Sequence, residues 1–453
     1  RAAALTKFFS QIDPVNFRGT IGFDTEPTNT SSINSYANAI DLSNTAVRQI
    51  GSVTTAELTG LITPKANTNY AFGNGGGTLL IGSLLTNDSV NEFTRGIHVQ
   101  SDDNDPLTVF INNAANSFGG RASAQQSALI FGNAPGTLPT GASLKLFEGG
   151  YIGIQDTTRS VENYFGQFDA DIAIGVLGLD SQDRNTNRTI TDVIDLSRFT
   201  ATSPNFYLGS ATSVTLSGAI TLPPNTNEYR FAGYKGGRIN ITSVLADASA
   251  ATARSVRIGD QSVNATAGHR FVGSEEPVSS SVRLDAVNTY SGGTILEAGE
   301  LTVTKNSSIG SGKLTIPGDD QSIFDALEND SENGDGILEK AGIFRTDATG
   351  LNFSNEINVK GFLSVPVPNS EGDHNLTLSG AISGGGGVIK QESGTLTLTG
   401  DNSSLTGGFF VDQGTLNVNH NNALGTGALG VGTESGTTIN FNTSAPSIGG
   451  LYQ

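Results

Sequence analysis

The side chains that could do chemistry in this 453-residue chain are carboxylates, four imidazoles and the polar turns between short apolar runs. Cysteine is absent, which removes a thiol nucleophile, a disulfide framework and a cysteine-ligated zinc. His98, His269, His374 and His420 lie far from one another, form no H-x-x-x-H pair and read as surface imidazoles. Gly425-Thr-Gly427-Ala-Leu-Gly430 spells G-x-G-x-x-G. A dinucleotide site needs a helix after that turn, with its N-terminus facing the pyrophosphate. A strand pattern follows instead, so the motif reads as the same turn as Gly310-Ser-Gly312.

Carboxylates are the stronger candidates, since glycoside hydrolysis needs a pair of them roughly 5–10 Å apart. Asp24 and Asp180 occupy equivalent places in two similar segments, as do Asp41 and Asp195. An active site arises once, whereas a structural device recurs; these aspartates therefore read as turn and capping groups that accept bonds from nearby amides. No catalytic residue is assigned, and the expectation is a protein that is not an enzyme. Two acidic loops concentrate hard oxygen ligands: Asp102, Asp103 and Asp105 in the first, Asp330, Glu332 and Asp335 in the second. The second has Gly334 where an EF-hand ligand belongs and no Glu at its twelfth position. Solvated loops are the first reading and a weak extracellular calcium site the alternative; no other cofactor is expected.

The elements that must carry these groups are short strands. Charged residues make up 15% of the chain, against roughly 25% in an average globular protein. Its 58 glycines are nearly twice the usual share of roughly 7%. The net charge of −18 repels phosphate backbones and anionic lipid, which argues against nucleic-acid partners. No apolar run approaches the roughly 18–20 residues of a membrane span. GTLTLT at 394–399 and GTLNV at 414–418 alternate with period two, and Gly, Asn, Asp and Ser break the runs. Only Ala2–Phe9 and Ile323–Glu328 read as short helices.

Two long segments repeat. Leu5–Ser43 and Val161–Ser197 share a paired aromatic, a Gly-apolar-Asp and a closing IDLS; Leu58–Asn87 then matches Leu216–Asp247. A second repeat class has Asn, a short linker, Gly-Gly and two strands, at Val287–Ile316 and Thr399–Val431, with a degenerate copy at Asn116-Ser-Phe-Gly-Gly. Self-similarity of this kind predicts a solenoid. Stacked turns of about 20 residues at roughly 4.8 Å per layer would make a rod near 100 Å long. Parallel crossovers are overwhelmingly right-handed. The predicted fold is therefore all-β, a right-handed parallel β-helix built from two homologous modules plus passenger-type repeats, with an array of β-sandwiches as the alternative.

NTYSGGTILEAGELTVTKNSSIGSGKLTI, and the run from LSGAISGGGG through GTGALGV to PSIGGL, resemble autotransporter-associated β-strand repeats of type V secretion passengers, over about 280–316 and 376–451. That resemblance implies an extracellular stalk exported through an outer membrane. The expected divisions are 1–154 and 155–280 for the two modules, 281–318 for a passenger-type repeat, 319–343 for an acidic insertion and 344–453 for further repeats. PSIGGL shortly before Gln453 reads as mid-repeat, and a coil opened there exposes unpaired N–H and C=O groups. The expected partners are thus further repeats of the same chain or copies of itself stacked end to end. An adhesin that binds surface glycans is the second reading, to be marked by a row of exposed aromatics with Tyr151, Tyr164, Tyr207 and Tyr229 to check. A polysaccharide lyase or hydrolase, marked by a groove of three or more Asp with a Lys or Arg, is the third.

Overall fold

The computed structural model describes residues 8, 11–13, 16–24, 33–102, 106–259, 281–320, 322, 341–368, 375–432 and 436–452. Its strands run from two to six residues and stack in parallel, as Thr55–Leu58 on Thr78–Ile81 and that strand on Thr108–Ile111. Each is too short to bury its apolar face alone. Period-two patterning resolves this: in Thr395–Leu398 and Thr415–Val418 the leucines and valine point inward and the polar residues outward. Asn375, Thr395 and Thr415 are successive partners, so one turn there takes 20 residues, while Tyr151, Val176 and Tyr207 space their turns at 25 and 31. One apolar core runs from Ile21 to Leu429. The fold is a parallel β-helix.

The sheets are not the faces of a straight rod. A fourteen-stranded sheet runs from Asn34–Tyr36 to Ile382–Ser383. A six-stranded sheet accompanies its first part, ending at Ser143–Leu146, and an eleven-stranded sheet its later part, starting at Asn187–Ile190. Thr108–Ile111 and Glu228–Gly233 stand five strand spacings apart in the long sheet, roughly 24 Å in a straight stack. Yet Lys235 Nζ donates to Thr108 Oγ1 at 3.1 Å and to the Pro106 carbonyl at 3.3 Å. The long sheet is therefore strongly curled, a half-barrel that closes its outer face on itself. Ala128, Ile130, Tyr151, Val176, Tyr207, Ala211, Ala232 and Tyr234 form a second core inside the curl.

Sequence-equivalent strands lie in different sheets. Tyr70–Phe72 belongs to the six-stranded sheet, while its counterpart Tyr229 and Phe231 belong to the long one. Thr55–Leu58 is in the long sheet and its counterpart Ser213–Leu216 in the eleven-stranded sheet. The long sheet is thus second strand in the first segment and first strand in the second, a shift of one face that coincides with the curl.

The Asn of the second repeat class has a physical role. Asn402 is buried; its Oδ1 accepts the Ile382 N–H at 2.7 Å and its Nδ2 donates to the Ala423 carbonyl at 2.6 Å. Asn288 joins Leu245 to Ser308 in the same way, and Asn116 joins Leu85 to Thr137. Each clips the preceding turn to the following one, where the corner breaks the backbone ladder. A one-turn helix, Val161–Phe165, with Ser160 accepting the Asn163 N–H at its N-terminus, is an element the strand patterning did not announce. Ile323–Glu328, and all of Ala2–Phe9 except Phe8, lie outside the described residues.

Candidate functional site: a buried carboxylate in the crook of the curled sheet

Asp180 follows the strand Val176–Leu179 and is completely buried. Its Oδ1 accepts the Tyr151 hydroxyl at 2.7 Å, the Ala211 N–H at 2.8 Å and the Ser210 hydroxyl at 3.1 Å; its Oδ2 has no hydrogen-bond partner. Burial pushes the carboxyl up to about 6, and the bonds from Tyr151, Ala211 and Ser210 oppose that rise. The Tyr151 phenol is driven well above its ordinary range, first by burial and then by the neighbouring Asp180 charge.

Two glycines of a column of three make the room. Gly153, Gly178 and Gly209 are successive partners across adjacent strands, and Ala232 follows Gly209. A Cβ on Gly153 would stand 2.1 Å from Asp180 Oδ2, and one on Gly178 would stand 2.3 Å from the Tyr151 hydroxyl oxygen. Glycine inside a strand marks such a close approach. The Tyr151 ring lies over this column and stacks on Tyr234, centroids 4.9 Å apart. Lys235, held at φ 45° in the turn after Tyr234, carries its ammonium to Thr108. Burial lowers that ammonium to about 8, and Arg184 adds to the lowering.

The equivalent aspartate shows what the curl adds. Asp24 Oδ1 accepts the Val53 N–H at 2.6 Å and the Ser52 hydroxyl at 3.2 Å, the same two partners that Ala211 and Ser210 supply to Asp180. Asp24, however, is exposed. The turn-capping role is common to both; burial beneath Tyr151 belongs to Asp180 alone. Asp41 and Asp195 each accept the N–H two residues on, from Ser43 and Ser197 at 2.9 Å. They are turn caps, as expected.

The other sequence candidates stay apart. Asp102 is exposed, and its N–H donates to Asn74; Asp103, Asp105, Asp330, Glu332 and Asp335 lie outside the described residues. No cluster of three or more metal-ligating side chains occurs among the described residues. His98 is half-buried, its ring nitrogens bonded to Ser123 and Gln100, and His420 is half-buried too; His269 and His374 are outside the described residues. After Gly425, at φ 75°, comes the strand Ala428–Val431, so no helix faces a phosphate. Tyr151, Tyr164, Tyr207 and Tyr229 are all buried, which corrects the exposed aromatic row expected of a glycan-binding face. Carboxylates and arginines do gather on the sheet faces, but as ladders. Glu228 bridges Arg230 and Arg257, and Arg345 bridges Glu300 and Glu392.

Asp180, Tyr151, Tyr234 and Lys235 form a closed polar clasp that ties the two limbs of the curl. The pairing of Lys235 with Thr108 spans more than a hundred residues, which no local pattern reveals. The glycine column in YIGI, VLGL and YLGS was the available signal.

No curated protein and no solved structure matches the chain. No helix among the described residues is long and apolar enough to cross a membrane. The family model described as passenger-associated-transport-repeat matches residues 281–303 and 388–418, both inside the stretches that resembled passenger repeats. Over those repeats the chain is similar to autotransporter passengers, a likeness that implies a secreted or surface location.

Proposed function

We propose that this chain forms part of a stalk or fibre at the cell surface, exported across an outer membrane, and that it associates with copies of itself end to end. The observation that carries this reading is the continuous apolar core threading the stacked turns from Ile21 to Leu429. Each added turn buries the exposed face of the last, so cohesion grows with length. An acidic surface, net charge −18, keeps such a coil soluble. Stacking is supported by Phe441 and Leu451, which extend the columns of the buried Val418 and Leu429 yet stand 45% and 76% exposed. Strands of another copy paired on Thr438–Phe441 and Gly450–Tyr452 would cover them.

Negative-stain electron microscopy and sedimentation of the purified chain test this. Concentration-dependent linear assemblies are expected, lost in Phe441→Lys/Leu451→Lys. Monodisperse single particles at all concentrations would refute the self-association.

A further inference from the structure

The first segment holds a cleft of about 680 Å³ beside the six-stranded sheet, within the roughly 300–1,000 Å³ of small-ligand sites. Its floor is apolar, built from Leu42, Ile50, Ile62 and Phe72. Its exposed rim carries Arg18, Arg48 and Lys65. Three successive rungs place them. Arg18 and Arg48 enter the paired strands Thr20–Gly22 and Gln49–Gly51, and the Arg48 N–H donates to the Gly19 carbonyl. Lys65 lies in the turn leading to Tyr70–Phe72, whose Phe72 pairs with Ile50. No carboxylate lines the cleft among the described residues. None of the three cations forms an ion pair with a described residue. In a chain of net charge −18, a pool of three cations with no carboxylate among its described lining residues is unusual.

The second segment supplies a comparison within the same molecule. Leu196, Leu208, Ile220 and Phe231 line the equivalent place, and there the cleft has closed to about 10 Å³. At the positions of the three cations stand Ile174, Phe206 and Pro223, and Phe199 replaces Thr45. Phe206 lines this closed place, and Phe199 packs ring to ring against it at 5.0 Å, both buried. Structural need alone is met by this apolar plug. Opening of the cleft and gain of three cations therefore go together in the first segment, which is the pattern expected of a site and not of a stacking surface.

We propose that the cleft rimmed by Arg18, Arg48 and Lys65 binds a short acidic saccharide. Its acid groups pair with the three cations, its hydroxyls meet Thr45, Thr68 and Asn69, and its C–H face rests on Leu42 and Ile62. The neutral-to-acidic distinction follows from charge, and the preference for a short chain from the repulsion between a long polyanion and the acidic body. This inference rests on the cleft alone and stands whether or not the chain forms fibres.

Calorimetric titration with the galacturonate trimer, the neutral galactose trimer and inorganic sulfate tests it. The galacturonate trimer should bind and weaken with added salt, and the neutral trimer should not. Losing each exposed cation should weaken binding roughly fivefold, as for exposed ion pairs near 1 kcal/mol, so Arg48→Gln/Lys65→Gln should cost about 25-fold. Thr45→Phe/Arg48→Phe, which installs the plug, should abolish binding. If that variant does not fold, the charge variant still decides, because it alters only exposed side chains and its melting temperature should match the parent. The proposal is overturned if the galacturonate trimer fails to bind, if the neutral trimer or sulfate binds as tightly, or if the charge variant keeps full affinity.

Discussion

Replacing Asp180 by Asn isolates the clasp in the curl. The carboxyl titrates near 6 in the folded chain against 3.8 in an ordinary aspartate, because burial disfavours its charge. A raised folded value means that the folded state holds the proton more tightly than the unfolded one. Its stabilising contribution is complete below about pH 4 and is lost as pH rises through 6. The two-unit difference corresponds to about 3 kcal/mol. Between pH 7.5 and 4.5 about 2 kcal/mol of this should return in the parent chain. Asp180→Asn keeps an oxygen acceptor for Tyr151, Ala211 and Ser210 but carries no titrating charge, so it should lack that gain. Native-state hydrogen exchange, read by mass spectrometry on peptides covering Val176–Leu179 and Tyr207–Ser210, measures opening of the curl directly. Subtracting variant from parent removes the contributions of every other carboxylate. A difference that is the same at both pH values, within about 0.5 kcal/mol, would refute the buried charge as the origin of the effect.

Other outcomes follow from the same contacts. Gly178→Ala puts a methyl 2.3 Å from the Tyr151 oxygen and should lower stability by about 1–3 kcal/mol or more, seen as a reduced melting temperature. Tyr151→Phe removes the donor to Asp180 Oδ1; it should destabilise by about 1–3 kcal/mol, more at pH 8 than at pH 5, by chemical denaturation. Asn402→Ala strands the Ile382 N–H and the Ala423 carbonyl and should cost about 2–4 kcal/mol in the same assay. The expectation of solvated acidic loops predicts one melting temperature in calcium and in chelator; a calcium-dependent rise would point to a bound ion.

Much of the coil is legible in residue order because its rules are local. Alternation in Thr395–Leu398 sets which side faces the core, and the Asn-linker-Gly-Gly signature sets where the chain turns. The clasp is not legible, since it depends on the long sheet curling until Lys235 meets Thr108, and nothing in either neighbourhood records the other. Asp180 looked like Asp24 because their backbone partners are the same; only burial under Tyr151 separates them. The aromatic row failed for a related reason. Tyr151 and Tyr207 fill the inside of the curl, Tyr164 and Tyr229 the main core, so none remains to form an outer face.

Register between successive turns is the most direct measure of the coil itself. Thr397 and Asn417 are directly opposed on neighbouring strands, and Asn417 Nδ2 donates to Thr397 Oγ1 at 3.3 Å. The chain has no cysteine of its own, so Thr397→Cys/Asn417→Cys introduces a single pair at a separation that suits a disulfide, roughly 4.4–6.8 Å between Cα atoms. Mild oxidation should close that bridge within one chain in high yield, while Thr397→Cys/Leu416→Cys, with one thiol turned into the core, should not. Failure of the first pair to bridge, or equal bridging by both, would contradict a parallel coil in this register.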